Sequence, residues 1–117
     1  MVADAVGIRE YAAVGTWLEG LRAQWGAEPE DMDERLGVLE RFCRFAEKNP
    51  DEIIGECVRE VEGGKRIRIK GRRFYAEKIA EFQVAVGGDA RAQGRAGNIV
   101  RSFLIHNGIF IQAGLQG

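Results

Sequence analysis

Apolar residues recur at intervals of three and four through most of this 117-residue chain, a period that commits it to amphipathic helices packed on one another. Ile8, Tyr11, Ala12, Trp17, Leu18, Leu21 and Trp25 form the first stripe. Gly15 and Gly20 weaken it, Gly26 stops it, and Ala27-Glu28-Pro29 is a connector. A second helix is expected with Asp31 or Asp33 as its cap and acids in its first turn, where the dipole favours them. Leu36, Leu39, Cys43 and Ala46 give its core stripe, flanked by Phe42 and Phe45. Asn49-Pro50-Asp51-Glu52 reads as a capping box with Pro at the first helical position. The third helix then buries Ile53, Ile54, Cys57, Val58 and Val61 and ends at Gly63-Gly64.

Lys65–Gly71 is different. Ile67 and Ile69 alternate with cations, which is strand period, but no second strand is evident, so an extended basic loop or lead-in is expected. A fourth helix should run from about Arg72 to Val86 on Tyr75, Ile79, Phe82 and Val86, closed by Gly87-Gly88. Asp89 is the candidate cap of a fifth, with Ala96, Ile99, Val100, Phe103 and Leu104 as its stripe and Asn107-Gly108 as its stop. The expected architecture is all-α, a compact bundle of about five helices over residues 1–108. Residues 109–117 would be a tail or a linker to a domain absent from this chain.

Charge is divided unevenly along this frame. Residues 1–64 hold 7 Lys or Arg against 15 Asp or Glu, and residues 65–117 hold 10 against 3, so a net charge of −1 hides a polar molecule. Lys65, Arg66, Arg68, Lys70, Arg72 and Arg73 crowd into one short stretch. Cations at that density call for a polyanion, for open water, or for the carboxylates of the acidic half. A second basic group is Arg91, Arg95, Asn98 and Ser102, which share a face of the fifth helix, with Arg101 beside them. Arg takes guanine edges or phosphates and Asn takes adenine edges. Arg41, Arg44 and Lys48 make a third strip, diluted by Glu40 and Glu47.

Other functions lack their parts. No apolar run is long enough to cross a bilayer, no secretory pattern opens the chain, and Cys43 and Cys57 lie in apolar stripes. A cytoplasmic protein with buried thiols and no membrane association is the expectation. Structural zinc wants four close ligands, and besides the two thiols there is only His106. Catalysis through a nucleophile and base would rest wholly on that histidine, which is expected at the end of the fifth helix, where an imidazolium suits the dipole. The glycines at 87, 88, 94 and 97 follow no strand, so no dinucleotide fingerprint is supported. The acids of 28–34 read as a solvated capping turn. No cofactor is expected.

The order of three segments is similar to the N-terminal core-binding domain of the tyrosine recombinase, or phage integrase, family. ERLGVLERFCRFAEKNPDEI (34–53) resembles its second helix and the break after it, RRFYAEKIAEFQ (72–83) the next long helix, and GNIVRSFLIHNGI (97–109) the last. The resemblance spans residues 10–111. It implies a SAM-like helical bundle that clamps double-stranded DNA without cleaving it. Partners would be a C-terminal catalytic domain, which nothing here matches, or other recombinase protomers. The chain departs from the family at AQGRAGN (92–98), where only Asn98 carries over from a hydroxyl-rich helix entry, and in its acidic first half.

The sequence thus points to a non-enzymatic DNA-binding module in DNA integration or recombination. Lys65, Arg66, Arg68, Lys70, Arg72, Arg73, Arg95, Asn98 and Arg101 are its candidate DNA-binding residues; Arg41, Arg44, Lys48 and Arg91 are weaker ones. The rival is a helical protein-interaction module that self-associates through opposite charge on its two halves.

Overall fold

The computed structural model describes residues 7–111, and local chemistry accounts for where its elements start and stop. After a 3-10 turn at Ile8–Glu10 come α1 (Ala12–Trp25), α2 (Met32–Ala46) and α3 (Pro50–Cys57). A strand pair, β1 (Val58–Val61) and β2 (Gly64–Ile67), precedes α4 (Ile69–Val86) and α5 (Ala90–His106). Tyr11, the residue before α1, has no short acceptor side chain. Asp51 of α3 supplies one instead, taking the Ala13 amide at 2.8 Å and so pinning two helices together. Gly26 ends α1 at φ +83°, a left-handed turn that glycine adopts without steric cost. The capping box of α3 forms as expected: the Glu52 amide donates to Asn49 at 2.7 Å and the Asn49 amide to Glu52 at 2.9 Å. Asp89 likewise takes the Ala92 amide at 2.8 Å and starts α5.

The core has α5 at its centre. Its buried Ala96, Ile99, Val100, Phe103 and Leu104 meet Trp17 and Leu21 of α1, Leu36, Leu39 and Phe42 of α2, and Tyr75, Ile79 and Phe82 of α4 in a single hydrophobic cluster. Trp17 packs edge-on to Phe103 with ring centroids 5.6 Å apart, and its indole N–H donates to Ser102 at 3.0 Å. Phe42 packs edge-on to Phe82 at 5.2 Å. His106 occupies the space a side chain at position 20 would need, so Gly20 is what lets α1 and the end of α5 close on each other. Gly97 plays the same part for the side chain of Gln83 on α4. No described polar or charged residue is fully buried, and no described helix is long and apolar enough to cross a membrane.

The fold is mostly helical, with five α-helices among the described residues, but it departs from an all-α bundle at its middle. The third helix stops at Cys57 rather than Val61. Val58–Val61 pairs antiparallel with Gly64–Ile67, in the register Val58 with Ile67, Arg59 with Arg66 and Glu60 with Lys65. Residues 65–71 are therefore not a loop: they are a strand followed by the start of α4, which begins at Ile69 and not at Arg72. Smaller corrections concern packing. Asp31 precedes α2 without capping it, Phe42 is wholly buried rather than flanking, and Trp25 is 62% exposed. Ile109 and Ile111, expected in a tail, are buried in the core; Gly108 at φ +91° turns the chain back, and the Ile109 amide donates to Leu104 at 2.9 Å. Residues 112–117 lie outside the described residues.

Candidate nucleic-acid interface

The strand pair and the start of α4 are held as one unit. Val58 and Ile67 lie opposite each other on the hairpin's inner face and pack against the core. The Arg68 amide donates to the Cys57 carbonyl at 2.7 Å, closing the base of the hairpin against α3. At the third residue of α4, a Cβ on Gly71 would run into the backbone carbonyl of Glu56, so only glycine lets the helix start so close to the end of α3. The Tyr75 hydroxyl donates to Glu56 at 2.5 Å, and Lys48 donates to the other carboxylate oxygen at 2.9 Å. Burial pushes the Glu56 carboxyl up, but these two hydrogen bonds outweigh it and hold it below its ordinary value. Burial, with that hydrogen bond, raises the Tyr75 hydroxyl well above its own.

This anchoring decides where the cations point. With Gly71 and Tyr75 turned to the core, 3.6 residues per turn places Lys70 and Arg73 on the outward arc of the helix and Arg72 on its flank. All three are exposed, as are Lys65, Arg66 and Arg68. Among the described residues, none of the six has a carboxylate within 4.0 Å. No acid lies in α4's first turn and no side chain caps it, so the cations stand at the positive end of the helix dipole, where they are least favoured.

The other candidates fare differently. Arg95 is held by Glu34, with Nε–Oε2 at 2.8 Å and Nη2–Oε1 at 2.9 Å, and by Asp31 at 2.8 Å. These bonds raise its guanidinium above the ordinary value and lower both carboxyls, Arg35 being the larger influence on Asp31. Arg95 is thus a clamp between α5 and the start of α2. Arg101 donates to Asn98 at 3.0 Å and Gln83 at 2.8 Å; its Nε is buried with no partner among the described residues, and burial pulls its guanidinium below the ordinary value. Ser102 accepts from Trp17 and does not share the exposed face expected for it. Arg44 pairs with Glu40 at 3.8 Å and Lys48 with Glu56. Arg41 and Arg91 are exposed and make no ion pair among the described residues; Arg91 lines a shallow groove with Arg35, Arg95 and Asn98.

One cation was missed by reading the chain as a helix through Val61. Arg59 lies on β1, directly opposite Arg66, exposed and without a carboxylate partner among the described residues. The signal was faint: Glu62-Gly63-Gly64 can turn a hairpin, but Val-Arg-Glu-Val keeps the i, i+3 spacing of the helix before it. Both thiols are buried, which pushes Cys43 up to about 12 and Cys57 up to about 11. No group of three or more His, Cys, Asp or Glu among the described residues is placed to share a metal ion. No protein-family model, curated protein or solved structure matches the chain.

Proposed function

We propose that this protein is a DNA-binding module that holds duplex DNA on the basic surface running from β2 into α4, and that it binds without cutting. One observation carries the reading: the six cations of this run stay exposed and without an ion pair among the described residues, while most other described cations are bonded to acids of the same chain. Repulsion among them is a standing cost that a phosphate backbone relieves, with release of its counterions. The similarity of three segments to the core-binding domain of tyrosine recombinases supports the same partner and gives the finer proposal, a role in DNA integration or recombination. Lys65, Arg66, Arg68, Lys70, Arg72 and Arg73 form the phosphate-holding set; Arg91 and Asn98 line a separate groove on α5 with Arg35 and Arg95 and are weaker candidates, and Arg95 and Arg101 serve the fold.

Head-to-tail self-association is less favoured. Part of the acidic half it would draw on is engaged within the chain, Glu28 with Arg9 and Arg22, and Asp31 and Glu34 with Arg35 and Arg95, whereas Glu10, Glu19, Glu30, Glu60 and Glu62 are exposed with no ion pair among the described residues. The test is a titration of duplex DNA at several salt concentrations. If six phosphates are met, log K should fall with log salt at a slope of about −5. Absence of binding at low salt, or affinity that does not change with salt, would refute the proposal.

A further inference from the structure

The hairpin has a property that phosphate holding does not require. Cross-strand neighbours directly opposite one another lie about 5 Å apart at Cβ, and like charges there destabilise the pair. Yet Arg59 and Arg66 stand opposite each other, both exposed. They share the outer face with Val61 and Gly64, which add little bulk. Glu60 and Lys65 fall on the other face, with Val58 and Ile67, and Glu62 is in the turn. The outer face is thus a narrow ribbon whose charged groups are both arginines. Its aim is fixed, since its inner face packs on the core and its base is tied to Cys57.

From this geometry, and resting on the duplex-binding reading above, we infer that the β1–β2 hairpin lies in the major groove and reads guanine with Arg59 and Arg66. The major groove admits a two-stranded ribbon, and a guanidinium bonds guanine O6 and N7 in bidentate fashion. Two such groups a strand apart, on long flexible stems, reach neighbouring base pairs. Arg66 then leaves the phosphate-holding set for a base edge, and Lys70, Arg72 and Arg73 of α4 hold the flanking phosphates and set register without reading sequence.

Selection from a randomised DNA duplex pool with the full chain tests this. The wild type should enrich guanine-containing sites. Arg59→Lys/Arg66→Lys keeps both charges but not the planar fork; it should retain salt-dependent duplex binding and lose the enrichment. Arg59→Ala/Arg66→Ala should also lose enrichment, with a thermal midpoint unchanged or raised, because the like-charge pair is gone. A-form RNA duplex, whose major groove is too narrow to enter, should bind more weakly than DNA. If the wild type binds duplex with the expected salt dependence but enriches nothing, if the lysine variant enriches equally, or if RNA duplex binds as well, the hairpin inference is overturned and duplex binding stands. If no duplex is bound at all, both are overturned.

Discussion

The corner where α2 begins and the stretch from β2 into α4 are both dense in charge, and folding treats them in opposite ways. At the first, Glu28, Asp31 and Glu34 are met by Arg9, Arg22, Arg35 and Arg95, drawn from four parts of the chain. At the second, cations close in sequence form no ion pair among the described residues, although Glu60 stands opposite Lys65, and all six are exposed. A charge run in a sequence therefore says little until its partners are known. The acidic corner is structural glue, of the modest kind exposed pairs provide; the basic stretch is an unsatisfied surface.

The largest effect that would sharpen this contrast is on affinity. Lys70→Gln/Arg72→Gln/Arg73→Gln should leave the fold intact, since all three are exposed, and make the salt slope for duplex DNA shallower by about 3. An unchanged slope would mean that the start of α4 meets no phosphate. Next comes Gly71→Ala. Its methyl group has only backbone to push against, so α4's start must move; a stability loss of about 1–3 kcal/mol in urea unfolding is expected. DNA affinity should fall with it, because the cations lose their placement.

Arg95→Ala breaks the comparison from the other side. It should leave the DNA salt slope unchanged while altering the pH dependence of stability. A carboxylate held below its ordinary value, 4.5 for Glu34, stabilises the fold above that value and ceases to do so as pH drops through the depressed one. The wild type should thus lose stability on the acid side, and the variant should lose less there; Asp31 keeps Arg35 as a partner in both. Equal acid limbs in thermal melts would show that the clamp contributes nothing. The smallest effect belongs to Glu47, the one non-glycine described residue at positive φ, +60° at the end of α2. Glu47→Gly should gain up to about 1 kcal/mol in chemical unfolding by removing a strained Cβ.

Helices were legible wherever period and punctuation agreed. Asn49, Asp89, Gly26 and Asn107-Gly108 each mark an end in sequence and in space. The hairpin was not, because Val58 and Val61 continue the helical spacing of Ile53, Ile54 and Cys57 as well as they start a strand; four residues are too few for period to arbitrate. Within the site, the run from Lys65 to Arg73 is visible as composition. The fates of Arg95, Arg101 and Ser102 are not, since each depends on a residue far along the chain: Glu34, Gln83 and Trp17. Spacing along one helix gives a face; it does not say what another helix lays against it.

The two tryptophans differ in a way that can be put to use. Trp17 is sealed where α1 meets α5, bonded to Ser102, whereas Trp25 is open to solvent. A dissolved quencher should extinguish the emission of one and spare the other. With Trp25 replaced by Phe, the remaining fluorophore becomes an optical gauge of whether the first and last helices stay docked when duplex DNA is added.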